Sequence, residues 1–143
     1  MNVLLSVNPK YVAKIVDGEK KYEFRKRIFK RKDIEHIYIY STSPVSKIIG
    51  IITIKGILEG STEEIWKNCS LYSGMTEEEY FCYFKGKEKA FAIEIKDVKV
   101  FTEPVDPYII FDRFIPPQSF CYLNEDFLPF RERKDQHLLQ LVR

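Results

Sequence analysis

The stretch Gly18-Glu19-Lys20-Lys21-Tyr22-Glu23-Phe24-Arg25 brings an amine, a carboxylate and a guanidinium close together along the chain. On an extended strand Glu23 and Arg25 share one face, roughly 7 Å apart at the backbone. Arg25 can then act as a forked donor to a phosphate or a base edge, and Glu23 as an acceptor for an exocyclic amine. Lys20, at the mouth of the preceding turn, can act as a point charge or a nucleophile. Lys20 and Glu23 are therefore the candidate catalytic pair. The same residues also fit an ordinary surface ion pair, Glu23 with Arg25 or Lys21, worth about 0–1 kcal/mol.

The surrounding charge favours an anionic partner. From Lys20 to Lys32 there are eight Lys or Arg and one acid, whereas Glu59 to Glu79 holds six acids and one base. That asymmetry predicts a basic surface opposed to an acidic one, although any charge run can also be a solvated loop. Lys10 and Lys21 add cations near the octapeptide. Ser41 and Ser43, in the Ser-Thr-Ser-Pro turn, can donate to a phosphate or merely shape the turn. Tyr38 and Tyr40 share a strand face and either stack a base or pack a core. Gln118 and Ser119, after two prolines, close a cleft or end a wrapping segment.

Other chemistries find less support. His36 and His137 are isolated and no ligand spacing surrounds them, so neither a metal site nor a cofactor is expected. Cys69, Cys82 and Cys121 are widely spaced, which suits neither a disulfide framework nor a zinc knuckle and points to a reducing cytoplasm. Cys82, between Phe81 and Tyr83, reads as a buried or half-buried thiol. No apolar run approaches 18 residues, so no membrane span is expected. The 143 residues, 45% hydrophobic and 15% aromatic, suffice for one domain with a packed core.

The elements that must position these residues are legible in part. Asn8 caps and Pro9 opens a helix that Gly18 ends, with Val12, Ile15 and Val16 as its stripe. Lys21–Lys26 alternates as a strand, followed by strands at Ile34–Tyr40 and Lys47–Ile57, the latter bent or bulged at Gly50 and Gly56. Two capping boxes, Ser61 with Glu64 and Thr76 with Glu79, start two helices. Trp66 joins the core with Ile65 and Cys69, and Gly86 ends the second helix. Lys89–Phe101 is a strand whose apolar phase shifts, which predicts a bulge near Asp97. Residues 1–103 form the core domain. Residues 104–143, rich in proline and aromatics, wrap the same domain and end in a helix over Arg131–Leu141. The fold class is α+β, a small, mixed, partly open β-barrel with flanking helices.

The octapeptide fits G-x-K-x-x-E-x-R. Together with the Asn-Pro-Lys helix before it and Tyr40-Ser41-Thr42-Ser43-Pro44 after the next strand, it resembles the ASCH domain, a branch of the PUA-like superfamily of RNA-associated barrels. The likeness spans about Val3 to Phe101, with Pro116–Phe120 as a further element. It implies a cleft between the first helix and the barrel, lined by the motif. It also implies RNA as the partner, bound as a single strand or as a nucleotide, in a regulator of transcription or translation. One branch hydrolyses acetylated cytidine with a lysine, a threonine and a glutamate, and some members are credited with nuclease activity. Here Glu23 stands where that branch has threonine, and Tyr72-Ser73-Gly74-Met75 offers no acid, so little acetylcytidine hydrolysis is expected. A small hydrolase acting through Lys20 and Glu23 is the alternative to pure binding. A third reading has the acidic helices meeting a basic protein partner. Neither that partner nor an oligomeric state is specified by the sequence.

Overall fold

Asn2–Val7 is the first strand, β1, and all six of its residues are buried. In the sequence this segment shows only as an apolar run, because a strand covered on both faces does not alternate. The computed structural model describes residues 1–123. After β1 come α1 (Pro9–Asp17), β2 (Tyr22–Arg25), β3 (His36–Ser41), β4 (Lys47–Ser61), α2 (Thr62–Cys69), a 3₁₀ turn at Ser70–Tyr72, α3 (Glu77–Tyr83), β5 (Lys89–Val105), α4 (Pro107–Ile110) and β6 (Phe120–Leu123).

The strands form one six-stranded sheet in the order β2-β5-β4-β3-β1-β6. Among the described residues, β1 and β3 run parallel and the other pairs are antiparallel. Among the described residues the sheet does not close on itself, so β2 and β6 stand at its edges and the architecture is a partly open barrel with flanking helices. Local signals set several boundaries. The Asn8 side chain accepts from the Lys10 N–H, Gly18 is left-handed at φ 90°, and both capping boxes have their reciprocal bonds. The pairing of β4 with β5 steps from Thr53–Asp97 to Ile54–Ile95, which leaves Lys96 as the extra residue of a bulge beside Asp97.

Three apolar clusters follow from strand alternation. Ile37 and Ile39 of β3 face a cluster with Val3, Leu5, Val7, Val12 and Ile15, which seats α1 on the sheet. Tyr38 and Tyr40 face the opposite way, onto Leu4, Ile48, Ile110 and Leu123. Phe24 joins Ile65, Cys69, Tyr80 and Phe84 under α2 and α3, with Trp66 packed half-buried against them. β5 runs through the expected 103/104 boundary, and residues 104–123 add α4 and β6 to the same sheet and core. The helix expected at Arg131–Leu141, and His137 within it, lie outside the described residues. Cys82 is exposed rather than buried: the inward positions of α3 are Tyr80 and Phe84, so the residue midway between them faces out.

Candidate functional site

The two edges of the open sheet come together at one side chain. Arg25, the last residue of β2, donates from Nη2 to the Ser6 carbonyl of β1 at 2.6 Å, and its Nη1 lies 3.4 Å from Ser119 Oγ, one residue before β6. The same guanidinium donates through Nε and Nη2 to Glu23 Oε2, at 3.0 and 2.6 Å. Both residues are buried, so this is no solvated surface pair. Arg25 is also not a free fork: Nε and Nη2 are engaged by Glu23 and the Ser6 carbonyl, and only Nη1, with its long contact to Ser119, is weakly held.

Lys20 is not at the mouth of the turn. It is 2% exposed, at the floor of the site. Its Nζ donates to the Ser73 carbonyl at 2.6 Å and lies 3.9 Å from Glu23 Oε1. It also sits 4.7 Å from the ring centre of Phe24 and 5.3 Å from that of Tyr11. Such contacts stabilise an ammonium, yet burial dominates: desolvation, aided by the nearby Arg25 and Lys14, lowers its pKa to about 8 against the opposing pull of Glu23 and Glu79. The amine is therefore mostly charged at neutral pH but close to losing its proton.

Above these groups opens a cavity of about 250 Å³ lined by Val7, Asn8, Tyr11, Phe24, Met75 and Tyr83, with Ser6, Lys20, Glu23 and Arg25 as its polar part. Polar groups that converge in a largely apolar hollow are the ordinary form of a ligand site. Tyr83 is pushed above the usual phenol range by burial. Tyr11 is raised to about 12 by burial and by its hydrogen bond to Glu79.

The other sequence candidates are distributed unevenly. Ser119 reaches the site through Arg25. Lys10, exposed on α1, pairs with Glu79 of α3. The acidic helix thus docks beside the basic motif instead of opposing it, and Glu79 is held down to about 2 chiefly by Lys10. Lys21 faces outward with its Nζ 4.7 Å from the Tyr72 ring centre. Gln118 is exposed, and Ser43 is exposed ahead of a cis Ser43–Pro44 peptide. Ser41 is buried at the end of β3. Tyr40 lies in the second core against Phe114 and does not line the cavity. Among the described residues no group of three or more His, Cys, Asp or Glu could hold a metal ion, and no helix is long and apolar enough to cross a membrane.

Three contributions escaped the sequence reading: the Ser6 carbonyl, the bond from Lys20 to the Ser73-Gly74 turn, which the sequence had marked only for its lack of an acid, and the rings of Tyr11 and Tyr83. A Ser-Gly pair before a capping box does signal a turn. Nothing local says that this turn meets a lysine 53 residues earlier.

Comparison with known proteins places this fold in a family. The ASCH domain profile matches residues 5–99. An ASCH domain-containing ribonuclease of Zymomonas mobilis is 32% identical over 130 residues, covering 86% of this chain and 84% of that protein. The large ribosomal subunit protein uL22 of Ureaplasma parvum is 26% identical over 122 residues, but the matched region is only 39% of that protein. The crystal structure of ASCH from Zymomonas mobilis aligns with a TM-score of 0.81 at 31% identity, covering 87% of this chain and 89% of that one. A tyrosine-to-phenylalanine variant of the same protein gives 0.80 over 87% and 91%, also at 31% identity. With the profile match, the shared fold and the motif at the open seam, this chain belongs to the ASCH domain family.

Proposed function

We propose that this protein binds single-stranded RNA across its basic face and cleaves it at the Lys20–Glu23–Arg25 cleft. The observation that carries this reading is the buried Lys20 amine, with its pKa lowered to about 8, beside a carboxylate in an open cavity. Buried ionic groups seldom repay their desolvation in stability, and titratable groups perturbed in this way cluster where chemistry is done. The likeness to a relative named a ribonuclease supports the same choice over binding alone.

The chemistry divides among the three residues. Cleavage by the neighbouring 2′-hydroxyl needs an acceptor for its proton, positive charge against the crowded phosphate, and a proton for the departing 5′-oxygen. Glu23 Oε1, the oxygen that Arg25 leaves free of hydrogen bonds among the described residues, is the acceptor. The Lys20 ammonium supplies the charge and the proton. The new P–O2′ bond and the broken P–O5′ bond leave a 2′,3′-cyclic phosphate and a 5′-hydroxyl. Arg25 holds Glu23 in place and presents Nη1 toward the phosphate. Lys26, Arg27, Lys30 and Lys32, all exposed, offer the backbone a path.

Single-stranded RNA incubated with the protein between pH 6 and 10, with and without added divalent cation, tests this reading. The expected result is cleavage to cyclic-phosphate ends, at a rate that falls as pH rises through about 8 and Lys20 loses its proton. Absence of cleavage at every pH sinks the cleavage part of the proposal. For binding, log affinity should fall against log salt with a slope of about −0.7 per phosphate contacted. Arg25→Ala should weaken binding more than Lys30→Ala; equal binding by the two variants would remove RNA from the cleft.

A further inference from the structure

We propose that the Tyr72–Met75 turn is a positioning element for the Lys20 amine, in which Gly74 admits the lysine stem and the Ser73 carbonyl holds its nitrogen. The activity part of this inference rests on the reading above; the structural part does not.

The turn is bound to the motif from several sides. The Lys20 ammonium donates to Ser73 O at 2.6 Å, the Lys14 ammonium to Gly74 O at 3.1 Å, and the Lys21 N–H to Tyr72 O at 2.8 Å. The turn is also braced internally. Ser73 is buried, and its hydroxyl accepts from the Met75 N–H at 3.2 Å and donates to Met75 O at 3.0 Å. Gly74 has φ +65°, and a Cβ built on it would lie 2.6 Å from Lys20 Cβ, 2.9 Å from Cγ and 3.1 Å from Cδ. The contact begins at the root of the lysine side chain, so a rotation of its flexible end cannot relieve it. Any larger residue at position 74 must displace the lysine stem or the turn, and either movement separates Nζ from Ser73 O.

The groups facing the amine come from every neighbouring element: Tyr11 and Lys14 of α1, Glu23 and Arg25 of β2, Cys69 of α2 and Glu79 of α3. A shift of the stem moves the nitrogen relative to all of them. Its lowered pKa depends first on burial, so displacement toward solvent returns it toward the ordinary lysine range.

Gly74→Ala tests the proposal, with Gly86→Ala as its control. Gly86 is also left-handed, at φ +80°, but a Cβ there meets nothing within 4 Å. It carries the same backbone strain without touching Lys20. Gly74→Ala should lower kcat for RNA cleavage by roughly 10²-fold, the scale of a 1 Å misplacement, with KM changed by no more than about threefold. The second readout needs no substrate: pH titration of the Lys20 Cε carbon by NMR. The midpoint should stand near pH 8 in the wild type and rise in Gly74→Ala, while Gly86→Ala leaves it in place. Ser73→Ala adds no atom and cannot clash; by loosening the turn it should raise the midpoint in the same direction, which keeps the test open if Gly74→Ala does not fold. An unchanged midpoint in a folded Gly74→Ala or in Ser73→Ala, or a Gly86→Ala effect equal to that of Gly74→Ala, overturns the positioning role. Wild-type protein that leaves RNA intact but shows these NMR shifts refutes the proposed activity and retains the positioning role.

Discussion

Lys20→Met is expected to be more stable than the wild type at neutral pH and to lose most of the cleavage activity proposed above. Methionine nearly matches the lysine stem in volume and carries no charge to desolvate. Lowering of the Lys20 pKa from 10.5 to about 8 means that the folded state disfavours the charged amine; at about 1.36 kcal/mol per unit this is roughly 3 kcal/mol. The Ser73 carbonyl loses its donor, a cost of about 1 kcal/mol. The net gain at pH 7 is about 2 kcal/mol.

The pH dependence follows from linkage. Below pH 8 both folded and unfolded chains hold the proton, and the penalty is fully present. Between 8 and 10.5 the unfolded chain holds more protons at this site, so wild-type stability gains on that of the variant as pH rises. Urea denaturation of both proteins at pH 7 and pH 10 measures the gap, which should narrow or vanish at the higher pH. Cleavage should fall by about 10²- to 10⁴-fold, the range for loss of a positioned proton donor. A variant that keeps wild-type turnover removes Lys20 from the chemistry. A variant less stable than wild type at pH 7 shows that the amine is not desolvated as described.

Glu23→Gln has the opposite effect on stability. The carboxylate is the nearest anion to two buried cations, accepting two hydrogen bonds from Arg25 and standing 3.9 Å from Lys20 Nζ. Removing its charge while keeping its shape leaves Arg25 and Lys20 uncompensated, a loss of about 3–5 kcal/mol. For a chain of this size that lowers Tm by roughly 10 °C or more. Glu23 also supports the protonated form of Lys20, so the variant's amine titrates below the wild-type midpoint. Lys20→Met combined with Glu23→Gln should lose less stability than the two single effects imply, because one of the stranded cations is gone. Thermal unfolding of the three variants measures this. A Glu23→Gln protein within about 1 kcal/mol of wild type would mean that the trio behaves as a solvated surface pair.

The elements around this site were largely legible in the sequence, because the signals that set them act within a few residues. Asn8 and Gly18 bound α1, Ser61–Glu64 and Thr76–Glu79 start α2 and α3, and the shift of apolar phase near Asp97 marks the bulge in β5. The octapeptide and its strand were visible for the same reason: a helix stop followed by alternation is a local pattern. The depth of Lys20, the bonding of Arg25 and the facing of Tyr40 were not visible, since each depends on segments that meet only in the folded protein. Lys20 Nζ bonds a carbonyl 53 residues away, and Arg25 spans to residues 19 and 94 away. Tyr40 packs in the second core with Leu4 and Ile48, while Ile37 and Ile39 of the same strand face the residues of α1. A period-two pattern separates the two faces of a strand but cannot say which face the rest of the chain will cover. The sequence by itself therefore supplied the charged groups and the turn that brackets them. Only the tertiary structure, by burying an amine against the Ser73-Gly74 turn and joining the open edges of the sheet through Arg25, decided which of those charges are withdrawn from solvent and brought together.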